Sequence, residues 1–279
     1  MSEQIGFIGG GNMAEAIAGA LLRAGVSQAA RMRISDPSPE RRGHLRETYD
    51  IITTTDNAEV FNHSDIVILA VKPQIMAEVL EQLSGEAKAA PRRKLVISIA
   101  AGFPIRKIEQ FLYAGCDEPA MARMPVVRVM PNTPALVLAG MSGLSANRQA
   151  TEADITLART VLAATGQVLV FPESALNAVT AVSGSGPAYV FYLVEAMIDA
   201  GVSLGLGQDE AAVLTRQTLK GALALLEESA AEPGELRRRV TSPGGTTEAA
   251  LSVMEDRRVR QSIMAAMTAA CQRAAELSD

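Results

Sequence analysis

The chain has 279 residues, 48% of them apolar and 20% charged, with no Trp, which is long enough for two domains with their own cores and typical of a soluble globular protein. Its formal charge of −5 comes from acids and bases spread along the whole chain; a nucleic-acid binder would carry a basic stripe, so that class loses weight. Cys116 and Cys271 form no C-x-x-C pair, so neither a disulfide scaffold nor a cysteine–histidine zinc site is expected, and no metal is assigned. The one dense cationic run, Arg237-Arg238-Arg239, reads as a solvated face. No basic n-region precedes the strand-like residues that begin at Ile5, and the longest apolar run, near AYVFYLV, is far too short to span a bilayer. A cytoplasmic location, with no membrane and no nucleic-acid partner, is therefore expected.

The first predicted strand, IGFIG, runs into GGNMAEAIAGALLRAG, which has the look of an amphipathic helix. Gly9, Gly11 and Ala14 fall in a G-x-G-x-x-A spacing at the junction. Such glycines let the backbone turn sharply and approach a pyrophosphate, which then sits on the helix N-terminus. The motif alone is weak, but here it lies in a strand–helix unit, and an acid, Asp36, ends the next strand, RMRIS, about 20 residues on. That combination predicts a dinucleotide site. An acid in that place accepts from the ribose hydroxyls of NAD and repels a 2′-phosphate. Ser35, Ser38, Arg41 and Arg42 surround it, however, and two arginines are able to grip that phosphate. Their other reading is a solvated first helical turn, and the sequence leaves NAD and NADP both open.

Further β-rich runs follow as DIVILAV, KLVISIA, VVRVM and QVLVF, with helix-length segments such as PQIMAEVLEQLSG between several of them. Strands alternating with helices predict βαβ units and a mostly parallel sheet. The runs are continuously apolar, as strands covered on both faces must be. After about Phe171 the strand signals stop, and Gly and Pro breaks divide an Ala-, Leu-, Met- and Glu-rich remainder into about five helices. The expected division is 1–165 for an α/β cofactor-binding domain and 166–279 for an all-α domain. Between Ala188 and Met197 the helix AYVFYLVEAM is apolar on every side except at Glu195. A helix apolar all round is buried all round, which favours a homodimer whose second copy supplies the other wall; a central helix within one subunit is the alternative.

The second half is poor in proton donors. His44 and His63 both lie in the cofactor half, and beyond residue 107 the only lysine is Lys220, within a helical pattern that reads as surface. Reduction of a ketone needs a proton donor beside the reacting oxygen. Reduction of a C=N bond fits this shortage better, because an iminium ion is already activated. Enzymes of the β-hydroxyacid dehydrogenase family carry a lysine on the helix after a glycine-rich break like Gly184-Ser185-Gly186, and residues 184–194 contain none. A nucleotide-sensing relative without turnover is the non-enzyme alternative; loss of the hydroxyls or glycines at 242–247 would favour it, and all are present.

Taken in order, GFIGGGNMAEAI, ILAVKPQ, VISIAAG, MPNTPALV, GMSGLSA, VTAVSGSGPAYVF and VTSPGGTT closely resemble the pyrroline-5-carboxylate reductase family, over about residues 4–275. The resemblance implies reduction of 1-pyrroline-5-carboxylate to L-proline with NAD(P)H, the last step of proline biosynthesis. It implies a Rossmann-type domain followed by an all-α dimerisation domain that interlocks with a second subunit, often within a larger ring of dimers. Carried over by position, Phe7, Ile8, Gly9, Gly10, Gly11, Asn12 and Met13 would hold the pyrophosphate. Ser35, Asp36 and Asn57 would lie near the adenosine ribose, Ala70, Val71, Lys72, Pro73, Ala100 and Ala101 would line the cofactor crevice, and Met130, Pro131 and Asn132 would lie beside the nicotinamide. Thr247 matches a threonine whose hydroxyl lies near the imine nitrogen, and Ser242, Gly244, Gly245, Thr246 and Thr247 would hold the substrate carboxylate. Many relatives read Ser-Asn-Arg where this chain has Ser35-Asp36-Pro37. NADPH is the cofactor the family implies, and Asp36 keeps NADH in play.

The loop VTSPGGTTEAAL is legible in its own terms. It lacks the Gly-Lys-Ser/Thr ending of a phosphate-binding P-loop. Two glycines free the backbone, and the N–H groups from Gly244 to Thr247 at a helix start are suited to one carboxylate. A plain N-cap role for Thr246 or Thr247 is the alternative. Asn132, between Pro131 and Pro134's pair, sits in a rigid turn that would present an amide toward the nicotinamide, or simply make the turn.

Overall fold

A computed structural model describes residues 1–278. Its centre is an eight-stranded sheet in the order β3-β2-β1-β4-β5-β6-β7-β8. The strands are β1 (Ile5–Ile8), β2 (Met32–Ser35), β3 (Ile52–Thr54), β4 (Ile66–Leu69), β5 (Leu95–Ser98), β6 (Val126–Met130), β7 (Gly140–Ala146) and β8 (Gly166–Val170). All pairs are parallel except β6 with β7. Helices α1 (Asn12–Arg23), α2 (Pro39–Tyr49), α3 (Asn57–His63), α4 (Pro73–Ala89), α5 (Ile105–Leu112), α6 (Glu118–Ala122) and α7 (Glu152–Ala163) connect them, and a short α8 (Leu176–Val179) follows the last strand.

The alternation of side chains along a strand explains the uninterrupted apolar runs. Ile5, Phe7, Ile66 and Ile68 point to one face and pack with Ile17 and Leu21 of α1, Leu45 of α2 and Val161 and Leu162 of α7. Ile8, Val67, Leu69 and Val96 point to the other and pack with Phe61 of α3, Leu80 and Leu83 of α4 and Ile108 and Leu112 of α5. Burying both faces requires both residue parities to be apolar.

The chain divides into two compact units, one of residues 1–185 with 270–279 and one of 186–269. The expected border at 165/166 falls inside the first of these units. The edge strand β8 lies past that point and pairs with β7 from Gly140↔Gly166 to Leu144↔Val170, so cutting there would split the sheet. The second unit is helical, with α9 (Gly186–Ser203), α10 (Gln208–Glu228), α11 (Pro233–Arg239), α12 (Thr246–Asp256) and the start of α13 (Val259–Ser278). The far end of α13 belongs to the first unit, where the Ser278 carbonyl accepts from Arg106 at 3.1 Å. No residue of α9 is buried in the single chain, and Phe191 and Tyr192 are 63% and 75% exposed. Among the described residues, no helix is long and apolar enough to cross a membrane.

Candidate active site

The strand order reverses between β1 and β4, since the chain leads from β1 outward to β2 on one side and from β4 outward to β5 on the other. Ligands of open α/β sheets bind in the crevice beyond the carboxyl ends of the strands at such a point. Gly9 follows β1 there with φ +98°, and a Cβ on it would come within 2.9 Å of the Ala70 backbone beyond β4. Only glycine fits that conformation and that gap. Its N–H donates to Ser35 O at 2.9 Å, tying the turn to β2. Gly11 is the N-cap of α1, no side chain caps it, and a Cβ on it would meet nothing within 4 Å. The first N–H groups of α1 at Asn12 and Met13 therefore face a space with room for an anion. The residues present fit a dinucleotide pyrophosphate.

Two of the expected holders do not face that space. Phe7 and Ile8 are strand residues with no exposure, and their side chains fill the cores on opposite faces of the sheet. The cradle thus begins at Gly9, and those two residues support it from beneath.

At the end of β2, Asp36 is bound into the glycine turn. Its Oδ2 accepts from Gly10 N–H at 2.9 Å and its Oδ1 accepts from Ser38 N–H at 2.9 Å. Ser35 Oγ donates to Asn57 Oδ1 at 2.7 Å, placing the first residue of α3 beside β2. Neither flanking arginine is a loose cation. Arg41 donates through Nε to the Gly10 carbonyl and through Nη2 to Glu15. Arg42 Nη1 donates to the Asp36 and Pro37 carbonyls at 2.6 and 2.9 Å. Burial pushes the Glu15 carboxyl up, but hydrogen bonds from His44, Arg41 and Tyr49 outweigh it and hold the group below its usual range. The result is a charged network that braces the outside of the glycine turn and engages the guanidiniums in structure.

The carboxyl ends of β4, β5 and β6 lie along the same edge of the sheet. Ala70 N–H donates to Ile8 O at 2.8 Å, Val71 lies against Gly9, and Lys72 and Pro73 turn the chain into α4. Ala100 is buried and Ala101 exposed just past β5. Met130 ends β6, and Pro131 is buried. Asn132 does not hold out its amide. Its Nδ2 donates to the Ser183 carbonyl and hydroxyl at 3.2 Å each, and its Oδ1 accepts from Met141 N–H at 2.8 Å. The side chain pins β7 and the 180–184 segment to the end of β6. That segment, Thr180–Gly184, is a π-helical turn, a wide form that concentrates at functional sites. Nothing local in the sequence marks Ser183 as a partner of Asn132. Its partner lies 51 residues away, and only the glycine-rich break SGSG marks the place.

In the helical unit, residues Ser242 to Gly245 form a turn closed by Gly245 N–H to Ser242 O at 3.0 Å. Proline stands second and Gly244, at φ +69°, third, the residue order of a type II turn. Gly245 then serves as N-cap of α12 without a side-chain cap. So neither Thr246 nor Thr247 is the N-cap, and among the described residues the Thr247 hydroxyl makes no hydrogen bond. The expected set of four donors is also smaller. Gly245 N–H closes the turn, and Gly244 N–H donates to Glu248 Oε2 at 2.7 Å. The amides of Thr246 and Thr247, at the positive end of the helix, remain for a carboxylate.

Known proteins resemble this chain along nearly its whole length. A family model described as pyrroline-5-carboxylate reductase dimerisation matches residues 173–277, and one described as NADP oxidoreductase, coenzyme F420-dependent, matches residues 4–102. The pyrroline-5-carboxylate reductase of Pseudomonas aeruginosa is 46% identical over 277 residues, covering 99% of this chain and 97% of that protein. Among solved structures, a pyrroline-5-carboxylate reductase from Coxiella burnetii superposes with a TM-score of 0.90 at 38% identity, covering all of both chains. The Plasmodium falciparum pyrroline carboxylate reductase with NADP bound does so at 0.87 and 29%, covering 100% of this chain and 99% of its own. At such identity over nearly the full length of both partners, the chain belongs to the pyrroline-5-carboxylate reductase family.

Proposed function

We propose that the chain reduces the C=N bond of 1-pyrroline-5-carboxylate to give L-proline, the last step of proline biosynthesis, with NADPH or NADH as reductant. The observation that carries the reading is the full-length likeness to enzymes of that name; the cradle at the glycine turn and the turn before α12 give it chemistry. A bound reduced nicotinamide supplies a hydride. The N-terminal amides of α1 hold the pyrophosphate; Gly9 and Gly10 let the turn pack tightly on Ala70 and Asp36, and Gly11 keeps a side chain out of the anion's way. Ala70 to Pro73, Ala100, Ala101 and the Met130–Asn132 turn line the crevice, Asn132 by holding the turn in place.

The amides of Thr246 and Thr247 hold the substrate carboxylate, with Ser242, Gly244 and Gly245 shaping the turn. Thr247 Oγ1 orients the ring nitrogen, accepting its N–H in the iminium and donating to the lone pair that the nitrogen gains on reduction. As the C=N carbon gains hydride, the π pair moves to a nitrogen that is already protonated. No strong acid is then required of the chain, in keeping with its lack of a suitably placed His or Lys. Orientation of the reactants supplies most of the acceleration.

For the choice of dinucleotide, Asp36 stands at the ribose edge with both oxygens fixed by backbone amides, and Arg41 and Arg42 are engaged elsewhere. This favours an unphosphorylated ribose, and hence NADH. The chain acts as an oligomer built on a helix-interlocked dimer, which is supported by the dimerisation-family match and by α9, an apolar helix with no buried residue in the single chain. The first unit serves the cofactor and the helical unit serves the substrate and the partner, in the cytoplasm. Oxidation of NADPH and NADH, followed at the nicotinamide absorbance with 1-pyrroline-5-carboxylate as acceptor, tests the reading. Proline forms in step with dinucleotide oxidation if it is right, and absence of turnover with both dinucleotides overturns it.

A further inference from the structure

The turn before α12 distributes its donors in an unusual way. With Gly245 as N-cap, Glu248 is the third residue of the helix. An acid in that position ordinarily reaches back to the N–H of the N-cap residue. Here that N–H is already committed to Ser242 O at 3.0 Å. The Glu248 carboxylate reaches one residue further and accepts from Gly244 N–H at 2.7 Å. Gly244 is the residue at φ +69°, and a Cβ on it would meet nothing within 4 Å. Neighbouring side chains therefore do not confine it, and glycine is the residue with the most backbone freedom to lose. Pro243 fixes its own φ, and beyond that one side-chain bond and one turn bond hold Gly244 in place.

We propose that Glu248 is a positioning residue for the substrate carboxylate. By fixing Gly244 it keeps the turn in the form that leaves the Thr246 and Thr247 amides directed outward together. It also takes up the donor that a misplaced carboxylate would otherwise bind two residues too early. The inference rests on the assignment of this loop to the substrate. A ligand that binds only one of several loop forms binds more weakly in proportion to that form's population. Loss of the Gly244–Glu248 bond therefore acts on KM for the imine, and leaves the chemical step alone once substrate is seated.

The test compares Glu248→Ala, Glu248→Gln and Thr247→Ala in the full-length protein, with 1-pyrroline-5-carboxylate varied at saturating NADPH. For Glu248→Ala, KM for the imine should rise about fivefold, the effect of one exposed hydrogen bond, with kcat within about twofold and KM for NADPH unchanged. Glu248→Gln keeps an oxygen able to accept from Gly244, and its KM should return to near the wild-type value. A KM lowered in both Glu248 variants would mean that the carboxylate competes with substrate, and a KM raised equally in both would mean that charge, not the bond, matters. Either result overturns the proposal, as does a fall in melting temperature with no change in KM. Thr247→Ala separates the two levels. If it is impaired while Glu248→Ala behaves as wild type, only the positioning role fails; if Thr247→Ala has wild-type constants, the loop assignment itself fails.

Discussion

Replacing Asp36 with Asn separates the bracing role of its carboxylate from the proposed role at the ribose. Each of its oxygens accepts a backbone N–H at 2.9 Å, one from Gly10 and one from Ser38. An Asn offers one acceptor and one donor group, so one of those amides would face an NH₂ instead of an oxygen. Hydrogen bonds to charged groups contribute about 1.5–3 kcal/mol. The partial exposure of Asp36 reduces this to about 1 kcal/mol, a fall in melting temperature of about 2–4 °C for a protein of this size. The second role concerns the ribose. Two charges a few ångströms apart near a protein surface interact by about 1–4 kcal/mol between the limits of bulk water and an effective dielectric of 20. Taking the lower part of that range for a solvent-facing edge, removal of the negative charge relieves a 2′-phosphate of about 1.4 kcal/mol, or tenfold. The kcat/KM ratio for NADH over NADPH should therefore fall about tenfold in Asp36→Asn. The assay is parallel initial-rate measurement with both dinucleotides at about 0.1 M ionic strength, where screening sets in at about 10 Å. If the melting temperature falls as expected while the ratio stays at its wild-type value, Asp36 only braces the turn and the electrostatic reasoning is wrong.

Three other outcomes are expected. Thr247→Ser should show a modest defect and Thr247→Ala a larger one, about tenfold or more in kcat/KM as one hydrogen bond to the reacting nitrogen is removed, read by the same assay. Asp154 accepts from Arg93 Nη2 at 2.5 Å and from the Thr151 amide and hydroxyl at 2.7 and 2.6 Å, so Asp154→Ala should cost about 2–3 kcal/mol in urea unfolding. Burial pushes the Asp154 carboxyl up, but the bonds from Arg93 and Thr151 outweigh it and hold the group below its ordinary value of 3.8. The stability gap to the variant is therefore fully present above that pH and closes as the pH falls through the lowered value; a gap that widens in acid would contradict the assignment. Phe191→Arg places a charge on the most apolar stretch of α9 and should shift the protein to single chains in light scattering, with no change expected if α9 faces only solvent.

Much of the fold could be read in advance where the pattern was local. The glycine turn needed only a strand, a spacing and an acid at the end of the next strand, and all three are in the first 36 residues. Strand β7 is not legible in the sequence, because GMSGLSA is mostly small and polar residues with little β preference. It is a strand because β6 and β8 flank it, and Ser142 and Ser145 are buried there. Strand β3 was missed for its three-residue length. The domain border shifted because a turn of helix at 176–184 belongs to the sheet unit through Asn132 and Ser183. That bond joins residues far apart in sequence, and periodicity carries no trace of it. In the same way the proline–glycine turn at 243–244 was legible, while the direction of the Glu248 side chain was not.

The exposure of α9 has a consequence for how the protein must be handled and how its variants behave. If α9 completes its apolar burial against another copy, as proposed, the chain's stability is set by mass action and its melting temperature rises with protein concentration. Dilution in an activity assay then acts as a mild denaturant, and specific activity measured at nanomolar enzyme understates that at working concentrations. Two versions of the chain made together would also exchange partners. A substitution on α9 in one copy would thereby reduce the activity of unaltered copies, whereas a change confined to the glycine turn would leave its neighbour's cofactor site intact.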